Sequence, residues 1–171
     1  TKLMRKENKG VTMVVSPLLV LMENQIEAAT KMGLRCDVLN STVKDRRSEI
    51  LDSLENDELD LILATPETLF SDEVQKRLKN IKIGLFVIDE AHCISDWGHD
   101  FRLEYGNLKS VISSLPNTVP ILATTATAND RVVSDLEKRE VRLRIDYASP
   151  NTHRYELMME YYDNGKVNTV I

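Results

Sequence analysis

Residues Leu85 to Arg102, LFVIDEAHCISDWGHDFR, hold the densest chemistry in this chain. An apolar run, Leu85-Phe86-Val87-Ile88, ends abruptly in two adjacent carboxylates, Asp89 and Glu90, and then enters a loop mixing aromatic, basic and acidic side chains. Such a run reads as a strand covered on both faces, and its carboxyl end is where open parallel sheets place their ligands. One carboxylate there could hold Mg²⁺ through water while the other orients an attacking water at a γ-phosphate. That is the layout of a nucleotide motor. Standing alone, an acidic pair after an apolar run is more often a strand ending in solvent.

The elements that must position these residues can be read from pattern. Five apolar, β-branched runs, Val11 to Ser16, Leu34 to Leu39, Leu59 to Ala64, Ile83 to Asp89 and Val119 to Thr124, alternate with helical patterns. Alternation of this kind requires crossover connections and predicts an α/β fold with a mostly parallel sheet. Ser16 reads as a cap and Pro17 as a first helical residue, with Leu18, Leu21, Met22, Gln25, Ile26 and Ala29 at helical spacing before Gly33. Ser41 to Asn56 reads as a charge-rich helix, Asp72 to Asn80 as a short one, and Glu104 to Leu115 and Asn129 to Arg139 as two more. Past Val141 the pattern fades into two strand-like stretches, Val141 to Tyr147 and Tyr155 to Tyr161, around Ser149-Pro150-Asn151.

Four motifs fall at the carboxyl ends of four of these runs: Ser16-Pro17, Thr65-Pro66, Asp89-Glu90 and Thr125-Ala126-Thr127. In a parallel sheet those ends share one edge, so the four turns converge. A hydroxyl beside the free N–H groups of a helix start suits a DNA phosphate, which makes Ser16-Pro17 and Thr65-Pro66 candidate anion contacts. An ordinary helix cap is the plainer reading of each. Small hydroxylated residues beneath the acidic pair could hydrogen-bond to it, Thr125 or Thr127 to Asp89, Glu90 or His92. Trp97, His99, Phe101 and Arg102 offer ring faces for a base and a guanidinium for a phosphate or an acidic partner. Their plainer reading is a surface loop pinned by two buried rings.

Composition bounds the function. With 171 residues and 42% apolar content the chain is long enough for one domain with a sizeable core. Its net charge of −5 gives no general basic field, so any contact with nucleic acid must be local. Cys36 and Cys93 have no metal-ligand spacing and read as reduced core thiols. No apolar run reaches the length of a membrane span and no secretory leader is evident, which predicts a cytoplasmic protein, or a nuclear one in a eukaryote, with no membrane partner.

Asp89-Glu90-Ala91-His92 resembles the Walker B, or DEAH, box of superfamily-two helicases, and Cys93 to Arg102 resembles the aromatic-rich loop of the RecQ family among them. Val15-Ser16-Pro17-Leu18 with Met22-Glu23-Asn24-Gln25 resembles motif Ia, Ala64-Thr65-Pro66-Glu67 motif Ib, and Thr124-Thr125-Ala126-Thr127-Ala128 motif III. Asp96, Leu103 and Ala123 depart from the usual residues at their positions. The likeness runs from Val11 to Arg139. It implies a three-layer RecA-like domain of the P-loop NTPase type, using ATP and Mg²⁺, from an ATP-dependent 3′-to-5′ DNA helicase of the kind that serves DNA repair and recombination. Asp89 would act on Mg²⁺ and Glu90 on the attacking water, both contributing to the nucleotide site. His92 with Thr125, Ala126 and Thr127 would couple that site to DNA, single-stranded or forked. Ser16, Pro17, Thr65, Pro66, Trp97, His99, Phe101 and Arg102 would meet the DNA.

No G-x-x-x-x-G-K-[ST] phosphate loop occurs in the sequence. The expectation is therefore a first motor lobe over residues 1–140, lacking its phosphate loop, with residues 141–171 ending the lobe or leading toward a second RecA-like lobe as partner. Taken by itself the chain is expected to be inactive. Two alternatives stay open: an RNA helicase of the DEAD/DEAH class, and a non-catalytic module that keeps the fold and binds nucleic acid or a partner.

Overall fold

Each of the five apolar runs forms a strand in the computed structural model, which describes residues 1–94 and 107–124 and the backbone of 159–163 and 166–170. They are β1 (Val11–Val15), β2 (Cys36–Leu39), β3 (Leu61–Ala64), β4 (Ile83–Ile88) and β5 (Ile121–Ala123). The sheet runs in the order β2-β3-β1-β4-β5 and every pairing in it is parallel. β1 is central, with Val15 opposite both Ala64 and Ile88. This is the α/β fold with a parallel sheet that the alternation predicts.

Side-chain alternation along the strands divides the core between two faces. Val11, Met13 and Val15 of β1, Ile62 and Ala64 of β3, and Phe86 and Ile88 of β4 join one large cluster. Against it pack α3 (Arg47–Glu55), α4 (Pro66–Leu69), α5 (Asp72–Leu78) and α6 (Leu108–Ser114), through residues such as Ile50, Leu69, Val74 and Val111. On the other face Leu61 and Leu63 meet Met22 and Ala29 of α2 (Leu19–Lys31). Helix, sheet and helix thus make the three layers. A short first helix, α1 (Lys2–Lys6), precedes β1. Between them the chain passes hard against the approach to β4: at Gly10, with φ +106, an added Cβ would lie 2.1 Å from the Lys82 carbonyl oxygen. Only glycine fits such an approach.

Two helix expectations need correction. Ser16 does not cap α2, which starts at Leu19 with Leu18 extended before it and no side-chain cap. The Ser16 hydroxyl is engaged elsewhere, as described below. The predicted helix Ser41 to Asn56 is divided into a 3₁₀ segment, Ser41–Arg46, and α3, with Val43 out of helical geometry at φ −107, ψ 29. Asn40 Oδ1 accepts from both the N–H and the hydroxyl of Thr42, at 2.9 and 2.7 Å, and so closes a tight turn where an α-helix would begin. Helix Asn129 to Arg139 and strand Val141 to Tyr147 lie outside the described residues. The stretch from Tyr155 overlaps β6 (Met159–Asp163), which pairs antiparallel with β7 (Lys166–Val170), a strand the pattern did not indicate.

Candidate functional site

Because all five strands are parallel, the residues that leave them line one edge in the order Asn40, Thr65, Ser16, Asp89, Thr124. The ladder continues one residue past the strands. Thr65 N–H donates to the Leu39 carbonyl at 3.0 Å, Ser16 N–H to Ala64 at 3.1 Å, Asp89 N–H to Val15 at 2.8 Å and Thr124 N–H to Ile88 at 2.9 Å. Backbone bonds therefore set the spacing of these side chains before any side-chain contact is made.

Asp89 sits at the centre of the side-chain contacts. The Ser16 hydroxyl donates to its Oδ2 at 3.1 Å and the Thr124 hydroxyl to its Oδ1 at 2.8 Å. Two neighbouring strands thus hold one carboxylate from either side. Hydroxyl donors fix direction without bringing positive charge.

Glu90 follows in a left-handed conformation, φ +51, which few residues other than glycine, asparagine and aspartate adopt. After it the chain turns through the 3₁₀ segment Ala91–Ile94, with Cys93 N–H donating to the Glu90 carbonyl at 2.9 Å. Ala91 N–H donates to the Thr124 carbonyl at 2.9 Å, tying that turn to the exit of β5. Asp89 and Glu90 are both half-buried, which suits groups that must meet a ligand.

Thr65 behaves as expected of a cap. Its Oγ1 accepts from Thr68 N–H at 3.4 Å, Pro66 begins α4, and both Thr65 and Pro66 are buried. Ser16 is 0% exposed and Pro17 is buried beside it, so the Ser16 hydroxyl is given to Asp89 and not to solvent. Its role on the acidic pair was not expected. Nor was that of Thr124, since Thr125 and Thr127 were the expected hydroxyls. In both cases the available signal was a hydroxyl immediately after the last residue of a strand. Trp97, His99, Phe101, Arg102, Thr125, Ala126 and Thr127, and the side chain of His92, lie outside the described residues.

Cys36 and Cys93 are free thiols, Cys93 buried. Among the described residues no group of three or more His, Cys, Asp or Glu side chains could hold a metal, and no helix is long and apolar enough to cross a membrane. Asp89 and Glu90 place two carboxylates side by side at this edge, and Mg²⁺ is usually bound by one or two carboxylates together with water and substrate oxygens.

Residues 1–136 match the model of the DEAD/DEAH box helicase family. The chain is 40% identical over 132 residues to the ATP-dependent DNA helicase RecQ of Bacillus subtilis, covering 77% of this chain and 22% of that protein. It is 33% identical over 173 residues to the probable ATP-dependent DNA helicase RecS of the same organism, covering 91% of this chain and 34% of that protein. It spans only about a fifth to a third of the length of these relatives. Among solved structures, the helicase domain of Hef from Pyrococcus furiosus superposes with a TM-score of 0.63 at 18% identity, over 88% of this chain and 33% of that one. That likeness shows a shared RecA-like α/β fold. With the family match extending over most of its length, the chain belongs to the DEAD/DEAH box helicases, on their RecQ side.

Proposed function

We propose that the protein containing this chain is an ATP-dependent DNA helicase, and that residues 1–140 form its first motor lobe, with residues 141–171 leading toward a second. The observation that carries this reading is the Asp89 carboxylate, held at the carboxyl edge by hydroxyls from the exits of β1 and β5. A carboxylate oriented by neutral donors, next to a second one in a left-handed turn, fits Mg²⁺ bound largely through water. Mg²⁺, when bound, offsets charge on the phosphate oxygens of ATP.

Within that site Asp89 would hold the metal ion and Glu90 would orient the water that attacks the γ-phosphate. His92 and Thr125 to Thr127 couple the nucleotide site to DNA, and Thr124 joins them through its bond to Asp89. Around the Ser16-Pro17 and Thr65-Pro66 turns DNA phosphates are met, while Trp97, His99, Phe101 and Arg102 report occupancy by a single strand. RecQ-type relatives, named as DNA helicases, favour DNA over RNA as the polymer.

The test is the ATPase of the full-length protein. Single-stranded DNA should stimulate it and RNA of the same length should not; equal stimulation by both, or none by either, would overturn the assignment. The 171-residue chain by itself should turn over ATP no faster than buffer, since its sequence has no phosphate loop to bind the nucleotide.

A further inference from the structure

The Ser16 hydroxyl is not used by the helix that follows it. α2 begins three residues later at Leu19 without a side-chain cap, and Ser16 is 0% exposed, so its hydroxyl reaches neither the helix end nor a phosphate in solvent. Its described partner is Asp89 Oδ2, at 3.1 Å. From this we infer that Ser16 is a positioning residue for the Asp89 carboxylate, and that the bond links the turn after β1 directly to the metal-binding carboxylate. The inference rests on the nucleotide reading above and deepens it.

Backbone bonds explain how this link would carry a displacement. Ser16 N–H is anchored to the Ala64 carbonyl, immediately before Thr65, and Asp89 N–H to the Val15 carbonyl, immediately before Ser16. Any shift of the Ser16-Pro17 or Thr65-Pro66 turns therefore moves the donor that aims Oδ2. Thr124 holds Oδ1 from the opposite side, so loss of Ser16 removes the hydroxyl that aims Oδ2 and leaves the Thr124 bond to Oδ1 in place. Groups that orient a metal-binding side chain contribute to metal affinity even though they never touch the metal.

The experiment measures Mn²⁺, as a paramagnetic stand-in for Mg²⁺, binding to the full-length protein with ATP by electron paramagnetic resonance. Melting temperature and the affinity for ATP in EDTA are measured alongside. Ser16→Ala should weaken Mn²⁺ binding by about 10–100-fold, with ATP affinity in EDTA and melting temperature close to the parent's. Ser16→Thr and Ser16→Val share a shape and differ in the hydroxyl, so Thr should retain tighter Mn²⁺ binding than Val even if Ala fails to fold. Mn²⁺ affinity within twofold of the parent in Ser16→Ala, or equal affinities in the Thr and Val variants, would overturn the inference. Asp89→Ala separates the two levels. If it abolishes Mn²⁺ binding while the hydroxyl variants change nothing, the positioning role alone fails; if it too leaves binding unchanged, the nucleotide reading fails and the positioning role with it.

Discussion

The two edges of the sheet hold their carboxylates by different chemistry. At the amino edge, just before β3, Asp60 is 8% exposed and accepts from the backbone N–H and the guanidinium of Arg35, each at 2.8 Å. Arg5 adds a contact at 2.7 Å and also reaches Asp57, fastening α1 to the start of β3. The Arg35 guanidinium holds the Asp60 carboxyl below the usual carboxylate range, against the opposing effect of burial. At the carboxyl edge Asp89 receives hydroxyls from Ser16 and Thr124. Guanidinium groups cancel a carboxylate's charge, whereas hydroxyls aim it and leave its attraction for a cation largely intact. On the function proposed above, the carboxylate bound by arginine serves the fold and the one aimed by hydroxyls serves the chemistry.

If that contrast is right, disabling the carboxyl edge should remove activity and spare stability. Glu90→Gln in the full-length protein should lower ATP turnover by at least about 10²-fold, the low end for losing a group that handles the attacking water. Melting temperature should stay within a degree or two of the parent. A variant that keeps its turnover, or loses it only by unfolding, would break the distinction between the edges.

Disabling the amino edge should do the reverse. Asp60→Ala leaves Arg35 and Arg5 without their shared carboxylate, and the cost should approach about 3 kcal/mol, the low end for breaking a buried pair, because Arg35 is half in water. Urea unfolding of this chain measures it directly. The same loss should appear with acid. The folded-state pKa of Asp60 lies below its unfolded value, so its stabilisation is complete above the unfolded pKa, about 3.9, and is lost as pH falls through the folded value. From about pH 5 downward the parent should lose stability more steeply than Asp60→Asn, which has no such carboxyl to protonate. Parallel slopes for the two proteins would show that the Arg35 pairing contributes nothing.

What the sequence disclosed follows the same division. The strands were legible because Val, Ile and Leu runs need only local pattern to be recognised, and convergence of their ends follows from parallel pairing. Strand order was not, since nothing in the local pattern says that β1 lies between β3 and β4. That placement is what brings Ser16 onto Asp89, 73 residues away. Without it, a serine before a proline reads as a helix cap. Thr124 was overlooked for a related reason: a one-residue offset at the end of β5 decides which threonine faces the carboxylate, and strand ends are where pattern reading is weakest. The arginine pairs at the amino edge had no sequence signal at all, because each joins residues from different elements.

Backbone strain gives the finest test of the contrast. The described non-glycine residues with positive φ are Asn8 at 53°, Asp57 at 59° and Glu90 at 51°. Asn8 and Asp57 lie in turns at the amino edge and are the residue types that tolerate the left-handed region, because a short polar side chain can bond locally. Glutamate is not a residue type that favours this region, so the Glu90 conformation costs about 1–2 kcal/mol, held by the bonds around Ala91 and Cys93. Glu90→Gly should release that strain, while the greater freedom of glycine in the unfolded chain costs about 0.5–1 kcal/mol. A net gain of up to about 1 kcal/mol follows, worth roughly 2–4 °C in melting temperature for a chain of this size. Asn8→Gly has little strain to release and meets the same entropic cost, so it should be neutral or slightly destabilising. The two variants need only be melted side by side. If Asn8→Gly stabilises as much as Glu90→Gly, strain is spread across both edges and the acidic turn is not distinguished by it; if Glu90→Gly alone gains stability, and the same change in the full-length protein loses turnover, the carboxyl edge gives up stability to keep a glutamate in place.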